Sequence, residues 1–444
     1  LPVVKFMVEH DLDINKPNVL KESPVFLAAI KGRAEVIRFL ASKGADLNAT
    51  RHDGRNPAVV AIENQHSEAL KVLIDNKAHL DWESTDGKTL ANVAATLGNA
   101  LCLDILANTA ANLNKPDKLN LTPAMNAARN GHLEALKVLV REDVDLVLTG
   151  KDAIALCATE SRNLEVVQFL ASQGVDFNHA NERGVTPAFI AAERGDSAIL
   201  EVLVSLGVKL NMPTKEGFTP AYGAVCRNHH EIIQILAREG VKLNQTFKDG
   251  RTLAFIATQY GHVETIKTLF DHSADFEAAN YLGETPVFAA VIYGQEQLIP
   301  LLAKRDVDLN KARTDGVTPA AFAAYAGSLP VLKLLAQHKV DLHQPAPEDS
   351  TLIHGAALYG HFEVVRYLVS QKVELNKQDV FGRTPAVMAA WQGHLEALQI
   401  LVENGADLDI ASYDGLTPLS LAITHYHFDV VDFIQAQKKS ATSA

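Results

Sequence analysis

One short pattern recurs along the chain and strongly limits how the chain can fold. The stretches TPAMNAARNGHLEALKVLV, TPAFIAAERGDSAILEVLV and TPAVMAAWQGHLEALQILV begin at Thr122, Thr186 and Thr384 and share one register. The first residue of the pattern, called the anchor position below, occurs thirteen times. Eleven of the twelve intervals are 33 residues long, and the interval from 122 to 153 is 31. The anchor positions are Ser23, Asn56, Thr89, Thr122, Ala153, Thr186, Thr219, Thr252, Thr285, Thr318, Thr351, Thr384 and Thr417. A fixed period of this length indicates stacked repeat units.

Two further positions are nearly invariant within the repeat. Alanine stands five residues after every anchor position, from Ala28 to Ala422. Leucine stands seventeen residues after it, from Leu40 to Leu401, and Ile434 takes this place in the last unit. A small residue and a large apolar residue at fixed places predict that every unit buries the same face.

The spacing within one unit predicts two helices. A Thr or Ser side chain caps a first helix, and the Pro that often follows suits the first helical position. A break containing Gly, such as Gly131, separates it from a second helix with apolar residues at Val36, Ile37 and Leu40. Asp-Gly pairs before the anchor position, such as Asp53-Gly54, predict tight hairpin turns between units.

These units resemble the ankyrin repeat family, whose signature is T-P-L-H-x-A-A-x-x-G-H-x-E-V-V-x-x-L-L-x-x-G-A-D-V-N. The resemblance covers essentially the whole chain. It implies an all-α fold: a curved solenoid of helix–turn–helix units with projecting β-hairpin turns, usually binding other proteins. Ala often replaces the first Leu of the signature, and the His three residues after the anchor position survives only at His354.

The resemblance also implies how the chain is divided into groups of repeat units. Residues 1–15 hold a partial unit with only a second helix, 16–147 hold units 1–4, and 148–444 hold units 5–13 with a C-terminal cap. Because an uncovered second helix exposes its apolar face, we expect the native chain to continue upstream of residue 1.

The unit near 141–163 is irregular. It is two residues short, Ala153-Ile154 replaces Thr-Pro, and Arg162-Asn163 replaces Gly-His. Since both the cap and the turn are weakened, we expect this unit to be the least stable locally and to introduce a bend or hinge.

Charge and composition exclude several classes of function. The chain has 41 Lys and Arg against 53 Asp and Glu, a net charge of -12, which disfavours nucleic acid. No apolar run approaches the ~18 residues that span a bilayer, so membrane insertion is not expected. Three cysteines cannot build a disulfide framework, which favours the cytoplasm. The Thr-Pro-Ala start of many units resembles ankyrin arrays of bacteria that live inside eukaryotic cells. If the protein is an effector of such a bacterium, this resemblance implies that it acts in the host-cell cytosol.

No residue set predicts catalysis, a cofactor or a metal site. Seven of the seventeen histidines lie ten residues after an anchor position, where the family has a structural His. They are His66, His132, His229, His262, His361, His394 and His427. Gly87-Lys88-Thr89 ends like a phosphate-binding loop but lacks its first Gly. We therefore expect a protein that is not an enzyme.

One pattern exceeds what stacking requires. In ankyrin arrays, the residues seven and eight places after the anchor position face the concave surface. Five successive units carry an aromatic residue there: Tyr260, Tyr293, Tyr325, Tyr359 and Trp391. The first seven units carry none. Tyr281, Phe381 and Tyr413 occupy turn tips nearby. These eight residues are the predicted partner-binding stripe, with packing between units as the alternative role.

The leading functional hypothesis is a non-catalytic scaffold that holds a protein partner, a helix, extended segment or folded domain, in the concave groove. One alternative is a targeting region of a larger enzyme or bacterial effector whose catalytic domain lies outside this chain. A self-assembling structural array is a third possibility.

Overall fold

The computed structural model describes residues 1–146 and 154–442, and within them the chain forms 27 α-helices, two short 3₁₀ helices and no strand. The fold divides into two compact units, Leu1–Arg227 and Asn228–Ala444. The expected boundary between 147 and 148 falls outside the described residues.

The helices of the first unit are α1 (Pro2–Glu9), α2 (Pro24–Ile30), α3 (Ala34–Ser42), α4 (Pro57–Glu63), α5 (Ser67–Asp75), α6 (Leu90–Thr96), α7 (Ala100–Ala107), α8 (Pro123–Arg129), α9 (Leu133–Arg141), α10 (Ile154–Glu160), α11 (Leu164–Ser172), α12 (Pro187–Arg194), α13 (Ser197–Ser205) and α14 (Pro220–Cys226).

The helices of the second unit are α15 (His230–Arg238), α16 (Leu253–Gln259), α17 (Val263–Asp271), α18 (Pro286–Ile292), α19 (Ile299–Lys304), α20 (Pro319–Tyr325), α21 (Leu329–Gln337), α22 (Leu352–Leu358), α23 (Phe362–Ser370), α24 (Pro385–Gln392), α25 (Leu395–Glu403), α26 (Pro418–Thr424) and α27 (Phe428–Thr442). The 3₁₀ helices are Glu296–Leu298 and Pro347–Asp349.

The anchor position caps the first helix of a repeat, as predicted. At ten anchor positions, the side-chain oxygen accepts the backbone N–H three residues later, at 2.9–3.4 Å. This bond satisfies one of the N–H groups that a helix start leaves without a partner. Thr285 differs, because its buried hydroxyl has no hydrogen-bond partner.

The two nearly invariant apolar positions are buried, which confirms the prediction of one common core face. Ala28 is 6% exposed, and the other twelve alanines at this place are 0% exposed. Leu40 is 1% exposed, and the remaining residues of the leucine series, through Ile434, are 0% exposed. Alanine allows the first helices of neighbouring repeats to approach, while leucine fills the space between the two helix layers.

In five places, a histidine joins one repeat to the preceding one. The ring of His394 donates its Nε2–H to the carbonyl of Leu358 at 3.1 Å, and His427 donates to Trp391 at 3.1 Å. The same bond is made by His66, His132 and His361 to Ile30, Thr96 and Tyr325. The structural role expected for these five histidines is confirmed.

Glycine leaves room for this ring. Gly360 ends a first helix with φ of +72°, and a Cβ atom there would lie 2.5 Å from Nδ1 of His394. Gly393 stands in the same relation to His427, at 2.5 Å. The Gly-His pair of the repeat therefore describes a contact between two successive units.

In six pairs of neighbouring repeats, the turns that precede the anchor positions are also joined by a backbone hydrogen bond. Tyr413 donates its backbone N–H to the carbonyl of Phe381 at 3.0 Å, and Lys118 donates to Asp86 at 3.0 Å. Each turn is closed within itself, for example by Gly382 N–H on the carbonyl of Asp379 at 2.8 Å. The joined turns are thus linked by backbone hydrogen bonds although the described residues form no regular strand.

The irregular repeat keeps a hydrogen-bonded turn. Arg162 adopts a φ of 59° where most repeats have glycine, and Nδ2 of Asn163 donates to the carbonyl of Gly131 at 3.0 Å. The Asn163 side chain also accepts the N–H groups of Glu165 and Val166. The expected loss of the cap at Ala153 lies outside the described residues, and the bend or hinge stays a prediction.

The Gly-His contact gives a first prediction. We expect Gly360→Ala to lower the free energy of unfolding by about 2–4 kcal/mol, because alanine meets both an unfavourable left-handed backbone and the His394 ring. Urea unfolding with an unchanged m-value measures this.

The matched control is Gly294→Ala. Gly294 occupies the same place in its repeat with φ of +67°, but the next repeat has Ser328 in place of His, and no atom lies within 4 Å of the added Cβ. We expect a loss of only about 1–2 kcal/mol. Equal losses in the two variants would contradict the ring contact.

His354 performs a second task between repeats. Its Nδ1 accepts the backbone N–H of Thr351 at 3.1 Å, and its Nε2–H donates to the carbonyl of Arg383 at 3.0 Å. The bond to Nδ1 requires the neutral ring, with its proton on Nε2. Asn92 makes the same pair of bonds, accepting from Thr89 N–H at 3.0 Å and donating to the Leu121 carbonyl at 3.1 Å.

This geometry predicts a pH dependence. Burial lowers the pKa of His354 below its usual value of 6.5, and its hydrogen bond to Arg383 and the charge of Asp379 oppose this only in part. The unfolded chain then binds more protons than the folded one as the pH falls through about 6.5. We expect the free energy of unfolding to fall between pH 7 and pH 5. His354→Asn should flatten that dependence while changing stability at pH 7 by less than about 1 kcal/mol. An unchanged slope in this variant would exclude His354 as its source.

Candidate partner-binding surface

The five aromatic residues at the ends of first helices fall into two groups. Tyr260, Tyr293 and Tyr359 stand eight residues after the anchor position and are 49%, 47% and 58% exposed. Tyr325 and Trp391 stand seven residues after it and are half-buried. The earlier of the two places therefore points partly toward the next repeat, and the later one toward solvent.

Tyr325 packs between repeats. A Cβ atom on Gly355 would lie 1.7 Å from its ring, so the glycine of the next repeat creates the space that the ring fills. Its hydroxyl lies 3.5 Å from Oγ of Ser350, and its ring centroid is 6.5 Å from that of Tyr359. Burial raises the pKa of Tyr325. This environment favours the packing role for Tyr325 that the sequence left open.

Two of the three exposed tyrosines stand beside the histidine ten residues after their anchor position. The ring of Tyr260 stacks on His262 with centroids 5.6 Å apart, and that of Tyr359 stacks on His361 at 6.3 Å. Tyr293 has no aromatic neighbour within the described residues, since Gln295 replaces the histidine there. Imidazole rings thus lie beside Tyr260 and Tyr359, and none lies beside Tyr293.

At two turn tips, a tyrosine ring packs against a glycine of the preceding turn. A Cβ atom on Gly250 would lie 2.9 Å from the ring of Tyr281, and one on Gly382 would lie 2.6 Å from the ring of Tyr413. Both tyrosines remain 74% exposed. Glycine in the preceding turn therefore supports one side of the ring and leaves the other side open.

Three predicted residues line one groove in the second unit, called the aromatic groove below. Phe381, Trp391 and Tyr413 come from a turn, a first helix and the next turn, and the groove has a volume of about 550 Å³. The other residues lining it are Val380, Arg383, Val387, Ser412, Asp414, Leu416, Leu421 and His425. The predicted aromatic residues thus converge most clearly at this place.

The turn that carries Phe381 is firmly held. The carboxylate of Asp379 is buried, and its Oδ1 accepts the N–H groups of Phe381 and Arg383 at 2.9 and 2.8 Å. Its Oδ2 pairs with Arg383 at 2.7 Å. The guanidinium of Arg383 lies 4.3 Å from the centre of the Phe381 ring. A fixed turn reduces the entropy that binding a partner would cost.

Trp391 is also fixed by its surroundings. Its carbonyl accepts the hydrogen bond from His427, and its ring meets that of His425 edge-on at 6.4 Å. The backbone of Tyr413 is bonded to Phe381, as described above. Each of the three aromatic residues is therefore positioned by a contact with the next or the preceding repeat.

The sequence did not single out several residues of this region. His425, Val380 and Leu416 line the groove. Tyr426 is 75% exposed with φ of 61°, a backbone conformation in which most repeats have glycine. Phe428 is 66% exposed, with its ring 6.4 Å from that of Tyr426. Tyrosine at a glycine position is the signal that sequence reasoning could have used.

An equivalent groove in the first unit is charged. The charged groove, as it is called below, is lined by the same repeat positions around Asp53, Arg55, Glu63, Asp86 and Lys88. Arg55 pairs with Asp53 at 3.5 Å and with Glu63 at 3.4 Å, and Lys88 pairs with Asp86 at 3.1 Å. A hydrogen bond from Arg51 lowers the pKa of Asp53 to about 2. Its charges are thus neutralised within the protein.

Other first helices of the first unit also end in charged side chains that form ion pairs between repeats. Arg129 pairs with Glu160 at 3.2 Å, and Glu193 with Arg227 at 3.9 Å. Exposed pairs of this kind contribute little to stability. They also offer less apolar surface to a partner than the aromatic side chains of the second unit do.

The described residues provide no group of three or more His, Cys, Asp or Glu that could hold a metal ion. Cys102 is buried, which raises the pKa of its thiol to about 12 and makes it a poor nucleophile at neutral pH. Within the same part of the chain, no helix is both long and apolar enough to span a membrane.

Comparison with known proteins agrees with this architecture. The family model described as ankyrin repeats (3 copies) matches residues 1–86, 77–150, 154–247, 239–313, 306–379 and 353–442. The chain therefore belongs to the ankyrin repeat family, whose members generally act as protein–protein interaction modules without catalytic activity.

One solved structure similar to this chain is the ankyrin repeat domain of Bcl-3, described as a unique member of the IkappaB protein family. It is 25% identical, the match covers 50% of this chain and 100% of that chain, and the TM-score is 0.46. No curated protein matches this chain.

The two groups of tyrosines should respond differently to truncation. We expect Tyr325→Ala to lower the free energy of unfolding by about 2–3 kcal/mol, because it empties the space beside Gly355. Tyr293→Ala is the control and should cost less than about 1 kcal/mol, because its exposed ring has no aromatic neighbour to lose. Chemical denaturation of both variants distinguishes these roles, and an unaffected Tyr325→Ala protein would argue against packing.

Proposed function

We propose that this protein is a non-catalytic scaffold that binds a segment of a partner protein in the aromatic groove. Phe381, Trp391 and Tyr413 are the main contact residues, and the exposed Tyr260, Tyr281, Tyr293 and Tyr359 extend the surface along the second unit. Tyr325 supports it from the packed side. The observation that carries the proposal is the convergence of three aromatic side chains from three elements on one groove of about 550 Å³.

The physical chemistry of the groove supports this role. Tyr and Trp bury a large apolar area with few rotatable bonds and keep a polar edge for hydrogen bonding. Phe381 is 49% and Tyr413 74% exposed, so a partner would remove a substantial apolar surface from water. Because the supporting turns are hydrogen-bonded, little ordering is required on binding.

The proposal extends to the surroundings of the protein. The net charge of -12 argues against nucleic acid as the partner. The few cysteines favour the cytoplasm, which would be the host-cell cytosol if the chain is a bacterial effector. The alternative, a targeting region of a larger enzyme or effector, uses the same groove to recognise a substrate. A catalytic domain encoded in the same reading frame would favour that alternative.

The test begins with capture of partners by the intact protein and their identification by mass spectrometry. Affinity is then measured by calorimetry for the wild type, Trp391→Ala and Tyr413→Ala. We expect each substitution to weaken binding by about 1–3 kcal/mol, because each removes an aromatic contact from the groove. Thermal unfolding of the Tyr413 variant should hardly change, since its ring is mostly exposed.

Leu97→Ala provides the matched control. Leu97 lines the charged groove at the place that His425 takes in the aromatic groove, and it is 41% exposed. Its loss should leave partner affinity unchanged. A partner that binds both aromatic variants normally, or that is mapped wholly to residues before 220, would refute the proposed site.

A further inference from the structure

The charges around the aromatic groove indicate what kind of segment it accepts, an inference that builds on the proposed function. We propose that the bound segment is basic: an Arg or Lys side chain lies over the open ring face of Trp391 or Tyr413, with Asp414 as its counter-charge. The partner is thus a protein with an extended segment that combines basic and apolar residues.

The first observation is the state of Asp414. Five repeats carry Asp three residues before the anchor position. Four of these carboxylates are paired with a basic side chain of their own turn: Asp53 with Arg51, Asp86 with Lys88, Asp249 with Arg251, and Asp315 with Arg313. Asp414 is the fifth. No basic side chain among the described residues pairs with it, and only the hydroxyl of Ser412 donates to its carboxylate.

The sequence of the turn explains this difference. The cation stands two residues before the Asp in two of these turns, as Arg51 and Arg313, and two residues after it in the other two, as Lys88 and Arg251. Beside Asp414 these two places hold Ser412 and Leu416, and Leu416 is 36% exposed and lines the groove. Because neither place carries a cation, Asp414 is an exposed carboxylate at the edge of an apolar surface. A partner that brings its own cation completes the pair found in the other four turns.

The second observation is that the groove already holds one cation against an aromatic ring. The guanidinium of Arg383 lies 4.3 Å from the centre of Phe381. Its charge is balanced by Asp379 at 2.7 Å and by Glu348 at 3.7 Å. With Asp414, these four side chains carry three negative charges and one positive charge, a sum of -2. A basic segment is complementary to this charge, and an acidic one is not.

Aromatic faces suit the same ligand. Cations are attracted to the faces of Trp and Tyr by the negative charge of the ring face. The ring of Tyr413 rests on Gly382 on one side and is 74% exposed. The half-buried ring of Trp391 lines the groove at an angle of 61° to the ring of His425. Each ring therefore retains surface on which the stem and head of an Arg or Lys side chain can lie.

The experiment uses the full chain as bait for a phage-displayed library of random 12-residue peptides. We expect the selected peptides to be enriched in Arg or Lys next to apolar residues. Synthetic fluorescein-labelled copies are then titrated by fluorescence polarisation against the wild type, Trp391→Ala, Asp414→Asn and Asp86→Asn. Circular dichroism melting of every variant verifies folding.

Asp86→Asn is the matched control. Asp86 has the same place in its turn as Asp414 and likewise accepts from a serine hydroxyl two residues earlier, Ser84, but it already has a cation. We expect Asp414→Asn to weaken peptide binding about two- to fivefold, with a smaller effect at high salt, and Asp86→Asn to leave it unchanged. Trp391→Ala should weaken it at least about tenfold.

The outcomes separate this inference from the proposed function. Selected peptides that depend on Trp391 but show no enrichment in basic residues would overturn the basic partner and leave the groove as the binding site. Basic peptides that bind Trp391→Ala as well as wild type would overturn both, because they follow the overall negative charge. Equal effects of Asp414→Asn and Asp86→Asn would overturn the role of Asp414.

Discussion

The hydrogen bond from one repeat to the final turn of the preceding first helix is the interaction on which the rest of the structure depends. The end of a helix leaves carbonyl groups without a partner. His394 and His427 satisfy one such carbonyl each, on Leu358 and Trp391. The glycines at 360 and 393 are required because the ring occupies the volume of their missing side chains. One contact between a histidine and the preceding repeat therefore caps the end of a helix, fixes the glycine of the turn and stacks two repeats.

Much of this architecture could be predicted from the sequence, because the repeat averages out local ambiguity. A lone Thr-Pro or Gly-His says little, whereas thirteen copies in one register define which residues are caps, core and turns. The burial of Ala389 and Leu401 follows directly from that register. The details that periodicity could not give are those that vary between repeats. One example is Thr285, whose sequence matches the other caps although its hydroxyl makes no capping bond.

The candidate site was predictable in composition and less so in geometry. The concentration of aromatic residues in the second unit is visible in the sequence, but the division between Tyr325 and Tyr359 depends on a single step along a helix. That step turns one side chain toward the next repeat and the other toward solvent. The packing of Tyr325 is indicated by Gly355, thirty residues later, which leaves room for the ring. This relation can be recognised only when two repeats are compared position by position. The convergence of Phe381, Trp391 and Tyr413 likewise depends on how successive turns are bonded, which composition alone does not describe.

The backbone hydrogen bonds between neighbouring turn tips have a consequence for how such a protein can change over evolution. The bond from Tyr413 to Phe381 uses only N–H and C=O groups, and so does the bond from Lys118 to Asp86. Side chains at these tips can therefore be exchanged without removing the bonds that hold the tips together. Natural selection or protein design can thus replace the exposed tip residues of one repeat after another while the scaffold keeps its stability. The charged tips of the first unit and the aromatic tips of the second thus differ in their side chains while they share the same backbone hydrogen bonding.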